Sequence, residues 1–319
     1  MKPEELKKKM KGIVIVNTTP FNKDGSVDIG GLKSNLQWLL SICKGKDFIL
    51  NPLGSTGEFY VMSDDECKAV MKATVDEVKH KMPVFVGAGR AGTQETMKMC
   101  QYAESVGVDG VQVILPYYFP PTDEGMFQHY RQIAESIKIA VMVYNNPGPT
   151  ATWIKPPLMA RIAQIPRVIG CKENTGNLIS YIQMKKALEP SGMALLCGLG
   201  ENMFGYEAPY GCPGLVSSNA NAFPLWSYAV YQEAMAKNFA AMDEMISKLN
   251  PFNEFIGKVS ARRPHSGLTG GPPIFISVVK AAMDLMGLRG GEVRLPLIGI
   301  TPEEKNELAT IINKLSIPK

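Results

Sequence analysis

Eight times between Gly12 and Ser218 a short apolar, largely β-branched run breaks into polar, glycine or proline residues, and most of these runs lead into a helical pattern. The runs are Gly12–Val16, Phe48–Pro52, Pro83–Val86, Gly110–Leu115, Ile139–Tyr144, Val168–Lys172, Met193–Cys197 and Gly214–Ser218. Runs that are apolar throughout suit strands buried on both faces, which is the habit of parallel sheets. Helices are predicted from about Asp28 to Leu40, behind Ser63 to Lys81, and from Thr93 to Val106. Others follow from Gly125 to Ile137, Pro157 to Ile165 and Leu178 to Leu188. Ser63-Asp-Asp-Glu66 has the spacing of a capping box at the start of one of them. Eight strand units with helices between them predict an α/β chain closed into a (β/α)₈ TIM barrel with a C-terminal helical domain. An open doubly wound sheet competes, but it calls for a Gly-x-Gly-x-x-Gly turn after the first strand. Asn17-Thr-Thr-Pro20 stands there instead.

Beyond Pro224 the strand pattern stops. One long helix is predicted from Trp226 to Leu249, then Ile274–Met286 and Pro302–Leu315, punctuated by Gly267–Pro273 and Gly290-Gly291. The division expected is a catalytic barrel over residues 1–224 and a helical domain over residues 225–319 packed on its exterior. The net charge of +4 is small, and much of it lies in Lys7-Lys8-Lys9-Met10-Lys11, read as a solvated helix end. Basic residues do not cluster with aromatics, which argues against nucleic-acid binding. No run reaches the roughly 18 apolar residues of a membrane helix, and no apolar leader opens the chain. Six scattered cysteines without a Cys-x-x-Cys pair, and three scattered histidines, point to a reducing cytoplasm and to chemistry without metal or cofactor.

Chemistry in such barrels sits at the C-terminal ends of the strands. Ser55, Thr56, Tyr118, Tyr144, Lys172, Glu201 and Ser218 fall there. Lys172 closes the sixth apolar run, where partial desolvation favours the free amine that can attack a carbonyl. Alternation with Lys172 facing inward turns Gly170 inward and Cys171 outward. Tyr144 closes the neighbouring strand, about 4.8 Å away, and its hydroxyl can shuttle protons. Gly54-Ser-Thr-Gly57 offers two hydroxyls and exposed amides as a carboxylate seat. Together they read as a Schiff-base site for a 2-oxo acid. Each piece also has a plainer reading. The loop is an ordinary turn, Tyr144 a packing residue, Tyr117-Tyr118 an interface patch, and Glu173 a surface charge or helix-start carboxylate. Three such groups at matching strand ends are a rarer coincidence than any one.

Gly54-Ser-Thr-Gly-Glu58, Pro116-Tyr-Tyr118, Tyr144-Asn-Asn-Pro147 and Lys172-Glu-Asn-Thr-Gly176 resemble, in order and spacing, the dihydrodipicolinate synthase and N-acetylneuraminate lyase family. The resemblance runs from about Gly12 into the C-terminal helices. It implies a barrel with helices appended, usually a homotetramer of tight dimers, with pyruvate and an aldehyde as substrates. Lys172 then matches the Schiff-base lysine and Tyr144 the catalytic tyrosine. Ser55 and Thr56, beside Gly54, match the pair that relays protons and holds the pyruvate carboxylate. Tyr118 matches a tyrosine reaching into the neighbouring subunit, and Val216 a residue whose carbonyl lies near pyruvate. Glu201 and Ser218 match hydroxyl-binding positions of the lyases, and Asn174 replaces a threonine near the substrate.

Two departures bear on the substrate. Pro149 stands where the synthases carry the arginine that grips aspartate semialdehyde, and Gly200 stands where the lyases carry an aspartate. Proline offers no charge and no donor. Loss of such a bidentate partner costs on the order of 2–5 kcal/mol. The leading expectation is a class I lyase joining or cleaving pyruvate and a hydroxylated aldehyde, or a 2-oxo-3-deoxy acid. The alternatives are 4-hydroxy-tetrahydrodipicolinate synthesis with Arg90 or Arg161 as another carboxylate anchor, a dehydratase or deaminase on the same lysine, and a non-catalytic 2-oxo-acid sensor.

Overall fold

The computed structural model describes residues 1–267 and 271–315; part of the glycine-rich loop singled out above, residues 268–270, lies outside them. All eight apolar runs form strands: β1 (Gly12–Ile15), β2 (Phe48–Leu50), β3 (Phe85–Gly87), β4 (Gly110–Ile114), β5 (Ala140–Asn145), β6 (Val168–Glu173), β7 (Ala194–Cys197) and β8 (Gly214–Ser217). Every strand residue except Ala194 is buried, as continuous apolar patterning requires. The hydrogen-bonded order is β2-β1-β8-β7-β6-β5-β4-β3, with each pair parallel. A parallel bridge between Leu50 and Val84, with the Leu50 N–H donating to Pro83 O at 3.0 Å, closes the circuit between β2 and β3. This is a TIM barrel.

The helices that cover it are α1 (Pro3–Lys7), α2 (Ile29–Ile42), α3 (Asp64–Val78), α4 (Thr93–Ser105), α5 (Asp123–Ser136), α6 (Pro147–Thr150), α7 (Pro156–Ile162), α8 (Leu178–Leu188) and α9 (Gly200–Glu207). The capping box forms: Ser63 Oγ accepts from the Glu66 N–H while Glu66 accepts from the Ser63 N–H. The short α9 was not anticipated, because Gly200 and Gly205 disguise so brief a helix. The C-terminal helices are α10 (Pro224–Met235), α11 (Phe239–Ala261), α12 (Ile274–Leu285) and α13 (Pro302–Lys314). The single helix expected from Trp226 to Leu249 is therefore two. Lys237 adopts φ +58° and breaks the run, although the Met- and Ala-rich pattern continues across it. The basic N-terminal stretch also does more than meet solvent. Lys8 and Lys9 are exposed, but Leu6 and Met10 join Val14, Phe85, Met142 and Leu196 in the apolar barrel interior.

All six cysteines are buried and unpaired. No helix among the described residues is long and apolar enough to cross a membrane.

One buried ion pair fastens the C-terminal helices to the barrel. Lys280 of α12 and Glu58 are 1% and 0% exposed, with Nζ 2.5 Å from Oε1. Lys280 also donates to Glu292 O at 2.5 Å, and the Arg294 N–H donates to Glu58 Oε2 at 3.1 Å. Burial pulls the Lys280 ammonium below the usual lysine range, and the Glu58 carboxylate acts against that pull. Removing one member strands the other charge in the interior. Lys280→Met is expected to destabilise the chain by about 3–5 kcal/mol. Urea unfolding measures this, and an unchanged midpoint would refute it.

Candidate active site

The site begins with β2 and the loop behind it. Asn51 ties the strand ends together: its N–H donates to Asn17 Oδ1 at 3.1 Å and its Nδ2 to Phe85 O at 3.1 Å. The chain then folds over Gly54–Glu58, where the Gly57 N–H donates to Gly54 O at 3.0 Å and the Glu58 N–H to Ser55 O at 3.0 Å. Both glycines are needed for close approach rather than for an unusual φ. A Cβ on Gly54 would lie 2.5 Å from Val16 Cγ1, and one on Gly57 would lie 2.8 Å from Asn17 O. This packing turns the Ser55 and Thr56 side chains toward the barrel mouth. Gly54 shapes the loop and does not itself line the cavity there.

On the facing strands Tyr144 pairs with Lys172 in register. Tyr144 is 3% and Lys172 4% exposed, and the lysine Nζ lies 3.9 Å from the centre of the tyrosine ring. The expected alternation holds: Gly170 faces in, where a Cβ would meet Met10 Cε at 2.7 Å, and Cys171 joins the outer apolar layer. Tyr144 OH lies 3.4 Å from Ser55 Oγ and accepts from Asn146 Nδ2 at 2.7 Å. The tyrosine thus covers the amine with its ring face and turns its hydroxyl to the serine, which sets a phenolic proton carrier beside the amine. No carboxylate among the described residues lies within ion-pair distance of the Lys172 amine.

Glu173 is neither a surface charge nor a helix-start carboxylate. It points to the outer side of β6, 2% exposed, and accepts from Asn145 Nδ2 at 2.8 Å and from the Thr175 N–H at 3.0 Å. Burial outweighs these donors and pushes its carboxyl up to about 7.

The cavity at the barrel mouth has a volume of 740 Å³ and brings together Ser55, Thr56, Tyr144, Lys172, Asn174, Glu201, Val216 and Ser218. Tyr118 does not belong to it. That side chain is 78% exposed, with Phe119 edge-on at 4.8 Å, whereas Tyr117 does line the cavity. Glu201 reaches the wall but is 2% exposed. Its Oε1 accepts from Ser217 Oγ at 2.6 Å and Ser227 Oγ at 2.5 Å, and its Oε2 from Asn219 at 3.0 Å. Asn174 donates to Gly198 O at 3.1 Å, and its Oδ1 is buried without a partner.

Pro149 also lines the cavity, and Lys172 is the one basic side chain among the described residues that do so. Arg90 is paired with Asp64 at 2.9 Å and Arg161 with Glu124 at 2.7 Å, both away from the cavity. Neither stands in for the missing arginine. Sequence reasoning did not find Asn146, which holds the tyrosine hydroxyl, nor Asn202, Asn219, Asn253, Ile256 and Phe275 on the outer wall. Asn146 was within reach, lying inside the Tyr144–Pro147 motif. The others had no local signal.

Known proteins resemble the chain in sequence and in fold. A 4-hydroxy-tetrahydrodipicolinate synthase of Cereibacter sphaeroides is 31% identical over 296 residues, covering 93% of this chain and 95% of the relative. A solved structure of a monomeric dihydrodipicolinate synthase variant superposes with a TM-score of 0.85 at 28% identity, covering 98% of this chain and 99% of that one. The dihydrodipicolinate synthase of Thermotoga maritima superposes with a TM-score of 0.82 at 29% identity, covering 95% of this chain and 98% of that one. The model of the dihydrodipicolinate synthetase family matches residues 9–315. On that match, which spans nearly the whole barrel and the C-terminal helices, the chain belongs to the dihydrodipicolinate synthetase family, a family of lyases.

Proposed function

We propose that the chain is a class I aldol lyase that carries pyruvate as a Schiff base on Lys172 and joins it to, or releases it from, an aldehyde without a carboxylate at its far end. The observation that carries the reading is Lys172 itself: buried to 4% exposure, in register with Tyr144, and without a carboxylate partner. The Lys172 amine adds to the C2 carbonyl of pyruvate, whose carboxylate sits on the Ser55–Thr56 loop. Tyr144 supplies and takes the protons as the carbinolamine forms and loses water. Loss of a C3 proton gives the enamine. Its C3 attacks the aldehyde carbon, the new alkoxide is protonated, and water releases a 4-hydroxy-2-oxo acid and the free amine. Cleavage is the reverse. Val216 lines the same cavity.

The exposed Tyr118 supports a second copy of the chain: it serves a relay only by entering a neighbour's site, as its family counterpart does. The buried, unpaired cysteines fit a reducing cytoplasm.

A second reading has support in the relatives, which carry the name 4-hydroxy-tetrahydrodipicolinate synthase. It requires an anchor for the carboxylate of aspartate semialdehyde. Pro149 occupies the matching place, and Arg90 and Arg161 are engaged elsewhere. The neutral aldehyde is therefore the better supported partner.

Three measurements test this. Borohydride reduction with pyruvate should add mass to the Lys172 peptide, and no adduct there would end the Schiff-base reading. Tyr144→Phe should lower kcat by about 10²–10⁴-fold with the fold intact by circular dichroism; full activity would remove the tyrosine from proton transfer. Aspartate semialdehyde should be a poor substrate that Pro149→Arg improves by about tenfold or more in kcat/KM. Robust turnover by the unaltered chain at micromolar concentration would return the assignment to the synthase.

A further inference from the structure

Two adjacent asparagines close β5, and they serve opposite sides of the barrel wall. Asn145 turns outward and is fully engaged. Its Nδ2 donates to Ile154 O at 3.1 Å and to Glu173 at 2.8 Å, and its Oδ1 accepts from the Ile154 N–H at 3.0 Å. Asn146 turns inward and lines the cavity, and its Nδ2 donates to Tyr144 OH at 2.7 Å.

That bond is not a by-product of helix capping. Asn146 stands at the N-cap of α6, where an asparagine side chain ordinarily accepts from an amide of the first turn. It makes no such bond, and Pro147 opens the helix. Thr150, 1% exposed, holds the Asn146 backbone from behind, with Oγ1 donating to Asn146 O at 2.8 Å. The carboxamide is spared from capping and aimed at the phenol.

A phenol has one hydrogen and accepts at its oxygen. The Asn146 N–H fills an acceptor position and leaves the Tyr144 hydrogen for Ser55 Oγ, 3.4 Å away, or for substrate. When Tyr144 gives that hydrogen to the carbinolamine hydroxyl, water leaves, the C2–N bond becomes an iminium, and the tyrosine becomes a phenolate. The phenolate then takes a C3 proton, which yields the enamine and restores the phenol. The Asn146 N–H faces the oxygen through both steps, and a bond to the phenolate is stronger than one to the phenol. An interaction that strengthens as charge develops lowers the barrier.

We propose that Asn146 is a positioning residue for proton transfer: it aims the Tyr144 hydrogen away from itself and stabilises the phenolate left when that hydrogen departs. This rests on the Schiff-base reading of Lys172 and adds a residue to it.

Exchange of the pyruvate methyl hydrogens in D2O, followed by proton NMR on the full chain at neutral pH, reports enamine formation and needs no aldehyde. Asn146→Leu keeps the size and removes the donor, while Asn146→Asp keeps the shape and offers the phenol only acceptors. Each should lower kcat for exchange by about 10–100-fold, the worth of a hydrogen bond to a charged group. The KM for pyruvate and the final fraction of chain trapped by borohydride should stay within about twofold of wild type, since the rate is altered and not the binding. Added to Tyr144→Phe, Asn146→Leu should change the residual rate by less than about twofold, because the group it acts through is gone. Wild-type exchange in either Asn146 variant overturns the proposal. So does a loss matched in KM or in the trapped fraction, which marks ordinary structural support, and so does an undiminished further loss in Tyr144→Phe. Absence of adduct and of exchange in the unaltered chain is a separate outcome, and it removes the Schiff-base reading itself.

Discussion

The pairing of β5 with β6 governs everything at the mouth of this barrel. It begins as Val141 opposite Val168, then slips by one residue so that Met142 faces Gly170, and from there runs Tyr144 to Lys172. The extra residue is Ile169, which joins the barrel interior beside Leu196 and Val216. A bulge of this kind re-aims every side chain beyond it, because the two faces of a strand alternate with a period of two. Without the slip, Lys172 would lie one place out of step with Tyr144. The phenol and the amine share the cavity because β6 uses one residue more than β5 between the Val141–Val168 and Tyr144–Lys172 pairs.

That register also sets what lies behind the lysine. Glu173 follows it onto the outer face of β6, where Asn145 and the Thr175 amide receive it. Burial lifts its carboxyl to about 7, so near neutral pH its charge is weakened. A full anion one residue from Lys172 would favour the ammonium, and a protonated carboxyl does so far less. The stability this group contributes is greatest below the unfolded carboxylate range and declines as pH rises toward 7, since the folded chain holds the proton more tightly.

Much of this was legible from residue order because strands and motifs are periodic or local. Eight apolar runs gave eight strands, and Lys172, Tyr144, Ser55 and Thr56 could be placed at strand ends by counting in twos. The break at Lys237 was not legible, since a left-handed residue can interrupt a helix without disturbing its apolar spacing. Nor was the real setting of Glu201. A glutamate just past a strand end reads as a group for substrate hydroxyls, and only the fold brings Ser217, Ser227 and Asn219 around it. Leu6 and Met10 were hidden among lysines whose charge dominated the reading.

The same distinction divides the cavity. Its inner end comes from consecutive barrel elements, where each chemical group sits at a position fixed by strand length and register. Its outer wall joins a turn after β8 to helices far along the chain, and the Glu58–Lys280 pair fastens α12 to the hydroxyl loop. Asn253 and Phe275 reach the cavity through that docking. On the proposed Schiff-base reading, the reacting atoms depend on sheet register, while the space left for the second substrate depends on how the C-terminal helices dock. On that reading a change in docking reshapes the outer cavity without moving Lys172, whereas a slip in β6 takes the amine out of step with Tyr144 whatever the outer wall presents.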